Sequence, residues 1–262
     1  MPEGDTIFRA ARTLHTALAG KVVRAFRSPL GTFVDAALDG RRVERVEARG
    51  KNLLIHFDDG RSVLTHMRMN GSWHVYRPGE RWQRAERRAR LVLETDDFVA
   101  VCFDAPVVEL VAAGRQAHHP TLARLGPDVL SSEFDAEEAR RRLRARGDAP
   151  IGEALVVQRA VAGVGNIYKS ESLFLSRLDP WRRVADIADA DLDRLVATAR
   201  ELMTRNVGTM PRSTRPTLGG GGGTWVYGRR GEPCWECGTR IEMRRQGEAL
   251  RSTYYCPKCQ GG

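Results

Sequence analysis

The chain has 262 residues, enough for two domains or one large one, and 42% of them are hydrophobic, which supports a real core. Lysine and arginine number 42 against 33 aspartate and glutamate, so the formal net charge is +9. This excess favours a polyanionic partner, nucleic acid before an acidic membrane, although an arginine-rich proteome would give the same balance. We expect no signal peptide, because the N-terminus is charged and polar, and no membrane span, because no apolar run reaches about 18 residues.

The chain opens with Met1-Pro2-Glu3-Gly4. If Met1 is removed, as is usual before a small residue, Pro2 presents a secondary amine beside the carboxylate of Glu3. An N-terminal amine titrates near pH 7.7–8, so a useful fraction is unprotonated at neutral pH. Its attack on an aldehyde-level carbon would give a cationic iminium, which is an electron sink for elimination. Met-Pro is also a common start without function, so these residues alone leave both interpretations open.

Helical spacing follows at once in Ile7, Ala11, Leu14 and Leu18. Asp5 is a candidate N-cap and Gly20 a candidate stop. A packed helix here would position the N-terminal amine, which a frayed terminus could not.

Residues 21–103 show short β-like runs. Strands at 53–57 and 62–67 flank the turn signal Asp-Asp-Gly at 58–60, and strands at 91–95 and 98–103 flank Asp-Asp at 96–97. Several short strands joined by tight turns predict a β-sandwich, in which Cys102 is a small buried hydrophobe.

Two loops of this half are candidate sites. Residues 49–52 could present Lys51 from a fixed strand edge, or Lys51 could be a solvated turn residue. Residues 65–71 leave a strand with methionines and an arginine beside a glycine turn, where an unbranched apolar side chain could wedge between bases or could belong to the core. The five arginines of residues 81–90 predict a solvated loop or strand edge.

Residues 112–134 have linker composition, including the histidine pair at 118–119. The period then becomes helical, with helices predicted at 137–146, 151–161 and 167–178 and a fourth from Leu192 to Met203. Between the second and third, a Gly-Val-Gly-Asn turn ends in Asn166 as N-cap, and such a helix N-terminus suits a phosphate. In the third helix, Glu171 shares a stripe with apolar residues and needs a partner, either an amine or iminium or a structural arginine.

The C-terminal segments are a Pro/Gly-rich stretch at 206–224, predicted as a flexible loop, and a cysteine-rich end. Cys234-x-x-Cys237 and Cys256-x-x-Cys259 are two thiolate knuckles that together complete a tetrahedral site. With no open position, one Zn²⁺ there is structural, and unpaired thiols indicate a reducing cytosol. The segment between the pairs predicts a β-hairpin bearing Arg240, Arg244, Arg245 and Arg251, as expected of a nucleic-acid-binding finger.

Four features coincide, in order, along essentially the whole chain: the Met-Pro-Glu-Gly start, Gly-Lys at 50–51, Val-Ala-Gly-Val-Gly-Asn-Ile-Tyr at 161–168, and the finger with Cys-Pro-Lys-Cys-Gln. Together they resemble the formamidopyrimidine-DNA glycosylase / endonuclease VIII family of DNA repair enzymes. The N-terminal tetrapeptide leans toward the endonuclease VIII branch, particularly the actinobacterial type.

The resemblance implies a bifunctional DNA glycosylase and AP lyase of base excision repair. Pro2 would attack C1′ of a flipped, damaged nucleotide, form a Schiff base and nick the strand by β,δ-elimination. Glu3 would be the acid/base carboxylate, and Lys51 and Glu171 would complete the catalytic set.

The same resemblance assigns the DNA contacts. Lys51, His66, Asn166 and Arg251 match positions that grip phosphates around the lesion, and Met69 matches the residue that fills the void left by flipping. The expected partner is damaged DNA, double- or single-stranded, bound by a cytoplasmic, nucleoid-associated protein that is a monomer.

Two positions depart from the family pattern. Thr6 stands where the family often has a second glutamate, and residues 104–109 lack the arginine and phenylalanine of the formamidopyrimidine branch. The base opposite the lesion would be held less well. That favours oxidised pyrimidines over 8-oxoguanine and leaves a single-strand preference open. The alternatives are a glycosylase directed at 8-oxoguanine or formamidopyrimidine, a non-catalytic DNA-binding relative, and an unrelated zinc-ribbon protein that binds RNA.

The predicted fold class is α+β multidomain, with an N-terminal β-sandwich flanked by helices, a C-terminal helical domain with a helix–two-turn–helix, and a zinc-finger β-hairpin with four cysteine ligands. The predicted boundaries are 1–118 for the sandwich, 119–134 for a linker, 135–222 for the helical domain and 223–262 for the finger.

Overall fold

A computed structural model describes residues 2–33, 36–208, 211–217 and 223–261 of the protein. The chain forms two compact units, Met1–Ala123 and Arg124–Gly262. The boundary between them lies inside the segment 119–134 that the sequence predicts as a linker. Of the loop predicted at 206–224, residues 209, 210 and 218–222 lie outside the described residues.

The first unit holds one α-helix and two four-stranded antiparallel sheets. In chain order its elements are α1 (Gly4–Leu18), β1 (Ala25–Arg27), β2 (Val43–Arg49), β3 (Asn52–Phe57), β4 (Ser62–His66), β5 (Ser72–Tyr76), β6 (Ala89–Glu94), β7 (Val99–Phe103) and β8 (Val107–Val111). One sheet has the order β2-β3-β4-β8 and the other β1-β6-β7-β5. Apolar side chains from both sheets share one core, so the predicted β-sandwich is confirmed.

Both predicted hairpins are present. In the β3–β4 pair Leu54 lies opposite Leu64, and Gly60 closes the turn at φ 79°, a conformation that favours glycine. Cys102 is fully buried in β7, where burial raises the pKa of its thiol, as expected of a small core residue.

Helix α1 lays its predicted apolar stripe on the sandwich, packing mainly against β2 and β3. The predicted stop at Gly20 is confirmed by its φ of 78°. The prediction of Asp5 as the N-cap was wrong. Glu3 is the N-cap residue, while Asp5 lies buried in the first turn with Arg9 3.9 Å away.

The second unit contains the four predicted helices and the predicted hairpin. They are α2 (Ala136–Arg144), α3 (Ile151–Ala154), α4 (Asn166–Leu175), α5 (Asp189–Asn206), β9 (Glu242–Gln246) and β10 (Arg251–Tyr255). The finger and the helices belong to this one unit. With the β-sandwich, this confirms the α+β fold class; the four-part division of the chain remains a prediction.

Helix α3 is much shorter than the helix predicted at 151–161, because the chain after it bonds elsewhere. The Gln158 carbonyl accepts from Gly126 N–H at 2.8 Å, and Ala162 N–H donates to the Pro127 carbonyl at 2.9 Å. Residues of the segment predicted as a linker therefore occupy backbone groups that a continuing helix would pair with each other. The same segment contributes Val129, which is fully buried, to the helical core.

None of the described helices combines the length and the apolarity that a membrane crossing requires.

Candidate functional site

The N-terminal residues are held by a packed helix. Glu3 is fully buried and Pro2 half-buried, and the Glu3 carbonyl accepts hydrogen bonds from Thr6 N–H at 3.0 Å and Ile7 N–H at 3.1 Å. Both residues lie at the N-terminus of α1, the positive end of its dipole. Met1 lies outside the described residues, and its removal would leave the Pro2 amine next to the Glu3 carboxylate.

Lys51 and His66 lie at the same end of the β2-β3-β4-β8 sheet. The register pairs Leu53 with Thr65, which places the β2–β3 turn holding Lys51 beside the end of β4 that holds His66. Burial, and then the positive charges of Lys51 and Arg68, lower the pKa of His66. The structure thus brings together two of the residues predicted to bind phosphate.

The tautomer of His66 follows from its backbone contact. Its Nδ1 accepts a hydrogen bond from Arg68 N–H at 3.1 Å. In a neutral imidazole the proton then resides on Nε2. His66 at neutral pH is therefore an uncharged N–H donor, which is one way to bind a phosphate oxygen.

Met69 is at the tip of the β4–β5 turn, and Met67 is in the core. Met69 is 63% exposed whereas Met67 is 2% exposed. Met67 is therefore the core methionine, and Met69 is the one whose side chain is available to wedge between bases. Gly71 N–H closes the turn on the Met67 carbonyl at 2.8 Å. A Cβ at Gly71 would lie 2.7 Å from that carbonyl oxygen and 3.0 Å from Ala105 Cα, so the turn requires glycine.

The turn before α4 is held by a residue that the sequence did not indicate, Gln158. Its Nε2 donates to the Val164 carbonyl at 3.0 Å and its Oε1 accepts from Gly163 N–H at 3.0 Å. Gly163 has φ 96°, and a Cβ there would lie 3.2 Å from Val129 Cγ2. In the sequence, the only local indication that Gln158 holds this turn was its polar side chain one turn beyond α3.

The N-cap of α4 is Gly165, so the prediction of Asn166 as the cap was wrong; Asn166 is the first helical residue. Among the described residues, the buried Oδ1 of Asn166 has no hydrogen-bond partner. A half-turn of the amide exchanges its oxygen and nitrogen, so the same side chain can present N–H donors. A buried amide at a helix N-terminus is suited to an anionic ligand.

Arg251 lies close to this helix start. Lys169, one turn after Asn166, donates from Nζ to the Ser252 carbonyl at 3.3 Å and to Thr253 Oγ1 at 2.6 Å. These bonds join α4 to the start of β10, where Arg251 is exposed. The structure therefore places the second pair of predicted phosphate ligands, Asn166 and Arg251, on two elements that contact each other within this unit.

Glu171 is fully buried, as predicted, but its partners in the part of the chain that the structure describes are neither an amine nor an arginine. Its two carboxylate oxygens accept hydrogen bonds from the backbone N–H groups of Trp225 at 2.7 Å, Val226 at 2.9 Å and Tyr227 at 2.8 Å. Thr214 Oγ1 donates a fourth. Three backbone amides and a hydroxyl satisfy the carboxylate and fix both segments to α4.

The four predicted metal ligands form one cluster. The Sγ atoms of Cys234, Cys237, Cys256 and Cys259 lie within 4.8 Å of one another. Cys234 and Cys259 sulfurs are 3.9 Å apart, and Cys237 and Cys256 sulfurs 3.4 Å apart. A tetrahedral zinc with bonds of about 2.3 Å implies sulfur separations of about 3.8 Å, so the four residues fit a closed Zn²⁺ site.

Two protein-family models match consecutive parts of this chain. Residues 1–106 match the formamidopyrimidine-DNA glycosylase N-terminal domain, and residues 125–216 match the formamidopyrimidine-DNA glycosylase H2TH domain. The chain is 41% identical over 268 residues to a probable endonuclease 8 2 of Streptomyces coelicolor, covering 100% of this chain and 95% of the relative. It is 37% identical over 260 residues to the DNA-(apurinic or apyrimidinic site) lyase Nei2 of Mycolicibacterium smegmatis, covering 99% of each chain.

Solved structures share the fold. The MutM (Fpg) protein of Thermus thermophilus superimposes with a TM-score of 0.81 at 30% identity, covering 99% of both chains. The Lactococcus lactis Fpg, crystallised with DNA containing an abasic site, superimposes with a TM-score of 0.84 over 100% of both chains, and at 22% identity this likeness concerns the fold alone.

Proposed function

The chain belongs to the formamidopyrimidine-DNA glycosylase family, as its sequence predicted, and from that membership we propose that it is a DNA glycosylase and AP lyase of base excision repair acting on damaged DNA. Its relatedness to endonuclease 8 proteins of Streptomyces and Mycobacterium agrees with the predicted branch. The observation that carries the proposal in this chain is the buried Glu3 beside Pro2 at the start of a packed helix.

Pro2 is the nucleophile in this proposal. Its nitrogen forms a bond to C1′ of the damaged nucleotide, and the glycosidic bond breaks as the base leaves with a proton. Loss of the amine proton and opening of the sugar give the cationic iminium. Removal of a C2′ proton then expels the 3′ phosphate, and a further elimination expels the 5′ phosphate. Glu3, fixed at the helix N-terminus, is the group that transfers these protons.

DNA is held by phosphate ligands on both units. Lys51 and His66 at one sheet end, and Asn166 and Arg251 at the α4 start, supply two cations and two neutral donors. Met69, exposed at the tip of a turn that glycine makes possible, is the side chain that fills the space vacated by the flipped nucleotide.

Zinc is the metal that we assign to the cysteine cluster, with one ion per chain. It supplies a cross-link between the two knuckles, which the small finger needs for stability. The finger packs on α4 through Phe174, and Gln260 joins Cys256 N–H at 2.9 Å to the Leu178 carbonyl at 2.8 Å. A metal that fixes this hairpin thereby fixes Arg251.

Glu171 acts, in our proposal, as a positioning residue. Its four hydrogen bonds among the described residues run to residues 214 and 225–227, so its effect on the reaction passes through the segments it holds. The predicted catalytic role for Glu171 remains a prediction, which the Glu171→Gln variant described below tests.

We propose oxidised pyrimidines as the favoured lesions. The residues at 104–109 that stand in place of the formamidopyrimidine-type arginine and phenylalanine are Asp-Ala-Pro-Val-Val-Glu, and Asp104 is committed to Arg84 at 2.7 Å and Arg88 at 2.8 Å. The second candidate is a glycosylase directed at 8-oxoguanine or formamidopyrimidine. We also propose a monomer that acts in the bacterial cytosol, at the nucleoid.

Borohydride trapping tests the proposal. The purified protein, confirmed to begin at Pro2 and to contain zinc, is incubated with oligonucleotides bearing an abasic site, 5-hydroxyuracil, thymine glycol or 8-oxoguanine. We expect a covalent adduct that maps to Pro2 and forms faster with the two pyrimidines than with 8-oxoguanine. Absence of an adduct on every substrate would instead support the non-catalytic DNA-binding relative, and a faster reaction with 8-oxoguanine would overturn the lesion preference.

A further inference from the structure

The first unit carries a second basic site, on the sheet that does not hold Lys51 and His66. A cavity of about 420 Å³ is lined by Asn70, Arg87, Arg88, Arg90, Asp104 and Ala105. The sequence predicts residues 81–90 as a solvated loop or edge, but part of this arginine-rich segment forms the wall of a cavity. Its position next to the Met69 turn makes it a candidate contact for DNA.

Arg90 points into this region because of a β-bulge. The β6–β7 register pairs Ala89 with Phe103 and Leu91 with Cys102, so Arg90 is the extra residue between them. A bulge re-aims a side chain and disrupts the local ladder. The Nε of Arg90 is buried and has no hydrogen-bond partner among the described residues, which is unusual for a charged group unless a ligand completes it.

The charges around the cavity are unbalanced. Asp104 is shared by Arg84, at 2.7 Å, and Arg88, at 2.8 Å. The part of the chain that the structure describes provides no ion pair for Arg87 or Arg90. The neighbouring Glu86 does not line this cavity; it lines a second hollow together with Arg27 and Arg87. The cavity lining thus holds one carboxylate and three guanidinium groups, and the carboxylate is already paired with Arg88 and with Arg84 outside the lining, so Arg87 and Arg90 remain for an anion. Guanidinium forks bind phosphate oxygens bidentately.

The cavity and the first phosphate ligands lie on opposite sides of the Met69 turn. That turn joins β4, in the sheet with Lys51 and His66, to β5, in the other sheet. Asn70, the neighbour of Met69, lines the cavity, and Arg84 Nη1 donates to the Asn70 carbonyl at 3.3 Å. If Met69 enters the duplex at the flipped nucleotide, one sheet faces the damaged strand and the other faces its complement.

We propose that Arg87 and Arg90 bind a backbone phosphate of the strand opposite the lesion, an inference that rests on the proposed function. These two arginines lie on β6 and on the loop before it. They bind the complementary strand, a contact that residues 104–109 do not provide. The site makes the protein prefer duplex over single-stranded substrate without reading the opposite base, because phosphate contacts position DNA but carry no sequence information.

A thermodynamic cycle tests this site. Dissociation constants are measured for wild type and Arg87→Ala on a duplex with a stable abasic analogue, with the complementary strand either native or carrying neutral methylphosphonates opposite the lesion. The side chain of Arg87 is exposed and makes no hydrogen bond among the described residues, so we expect its replacement to leave the fold intact. Arg81→Ala, an exposed arginine of the same loop outside the cavity, is the matched control.

We expect Arg87→Ala to weaken duplex binding about tenfold on the native complement, with a salt slope smaller by about one. On the methylphosphonate complement its effect should disappear, while Arg81→Ala changes neither. Arg90→Ala should behave like Arg87→Ala. Equal weakening on both complements would overturn the proposal, and so would an effect of the same size on the single strand. Nicking by wild type of a duplex of the same sequence with a natural abasic site in place of the analogue is scored in parallel, so failure of the proposed function is recognised independently.

Discussion

The carboxylate of Glu171 in the middle of α4 accepts a hydrogen bond from the backbone N–H of Val226 at 2.9 Å. The two residues are far apart in sequence, and the bond joins the helix that follows the Gly-Val-Gly turn to the segment that leads into the cysteine-rich finger. One buried carboxylate therefore connects the helix, the segment at 225–227 and the finger. Its loss should lower the stability of the whole second unit.

Glu171→Gln should destabilise the second unit by about 2–4 kcal/mol, because an amide NH₂ would face backbone N–H donors in place of an acceptor oxygen. We expect a lower midpoint in denaturant unfolding and a parallel loss of DNA affinity. Glu201→Gln, an exposed glutamate of α5 that pairs with Arg205 among the described residues, is the matched control and should change stability by less than about 0.5 kcal/mol. Unchanged stability together with lost cleavage would instead favour a direct catalytic role for Glu171.

Pro2→Gly should lower the rate of borohydride trapping roughly 100-fold while DNA affinity stays near that of wild type. Glycine lacks the ring that fixes the nitrogen and gives a neutral imine in place of an iminium, so positioning and activation both suffer. A chain with a non-cleavable N-terminal extension should give no adduct at all, whereas the same extension at the C-terminus should have no effect. Wild-type rates from the N-terminally extended chain would refute the role of Pro2.

DNA affinity should rise as the pH falls from about 7 to about 5, through His66. Burial and the cations Lys51 and Arg68 lower the pKa of free His66, and a bound phosphate raises it. Proton uptake is therefore coupled to binding, and binding strengthens as the pH drops between the two pKa values. We expect His66→Gln, which keeps a neutral N–H donor, to remove this component in titrations at constant ionic strength.

The control for that titration is His118→Gln, an exposed histidine of the same unit. It should show the wild-type pH dependence. A pH slope in His66→Gln that is as steep as that of wild type would show that another group accounts for it.

Cys256→Ala should abolish zinc binding and reduce DNA affinity by more than about tenfold, because the finger that carries Arg251 is then no longer fixed. The first unit has its own core and should keep its unfolding transition. Cys102→Ala is the matched control with the opposite expectation, since it should lower the stability of the first unit and leave one zinc per chain. Full DNA affinity in zinc-free protein would contradict the proposal.

The sequence by itself determined the features that depend on local spacing. Apolar residues at helical intervals located α1, α4 and α5, and Asp-Asp-Gly located the first hairpin, because the face that a residue presents depends only on its place in the period. The two Cys-x-x-Cys pairs located the cluster of four cysteines for the same reason, since each knuckle is a local structure. Motif order identified the family and the candidate residues.

Tertiary structure decided which donor meets which acceptor. Local pattern indicated that Glu171 is buried, but only the fold brought the amides of 225–227 to it, and only the fold let Gly126 and Pro127 end the second helix early. The true caps, Glu3 and Gly165, and the commitment of Asp104 to Arg84 and Arg88 were likewise set by packing. Hydrogen bonds between residues distant in sequence follow from topology, and a one-dimensional pattern does not encode their geometry.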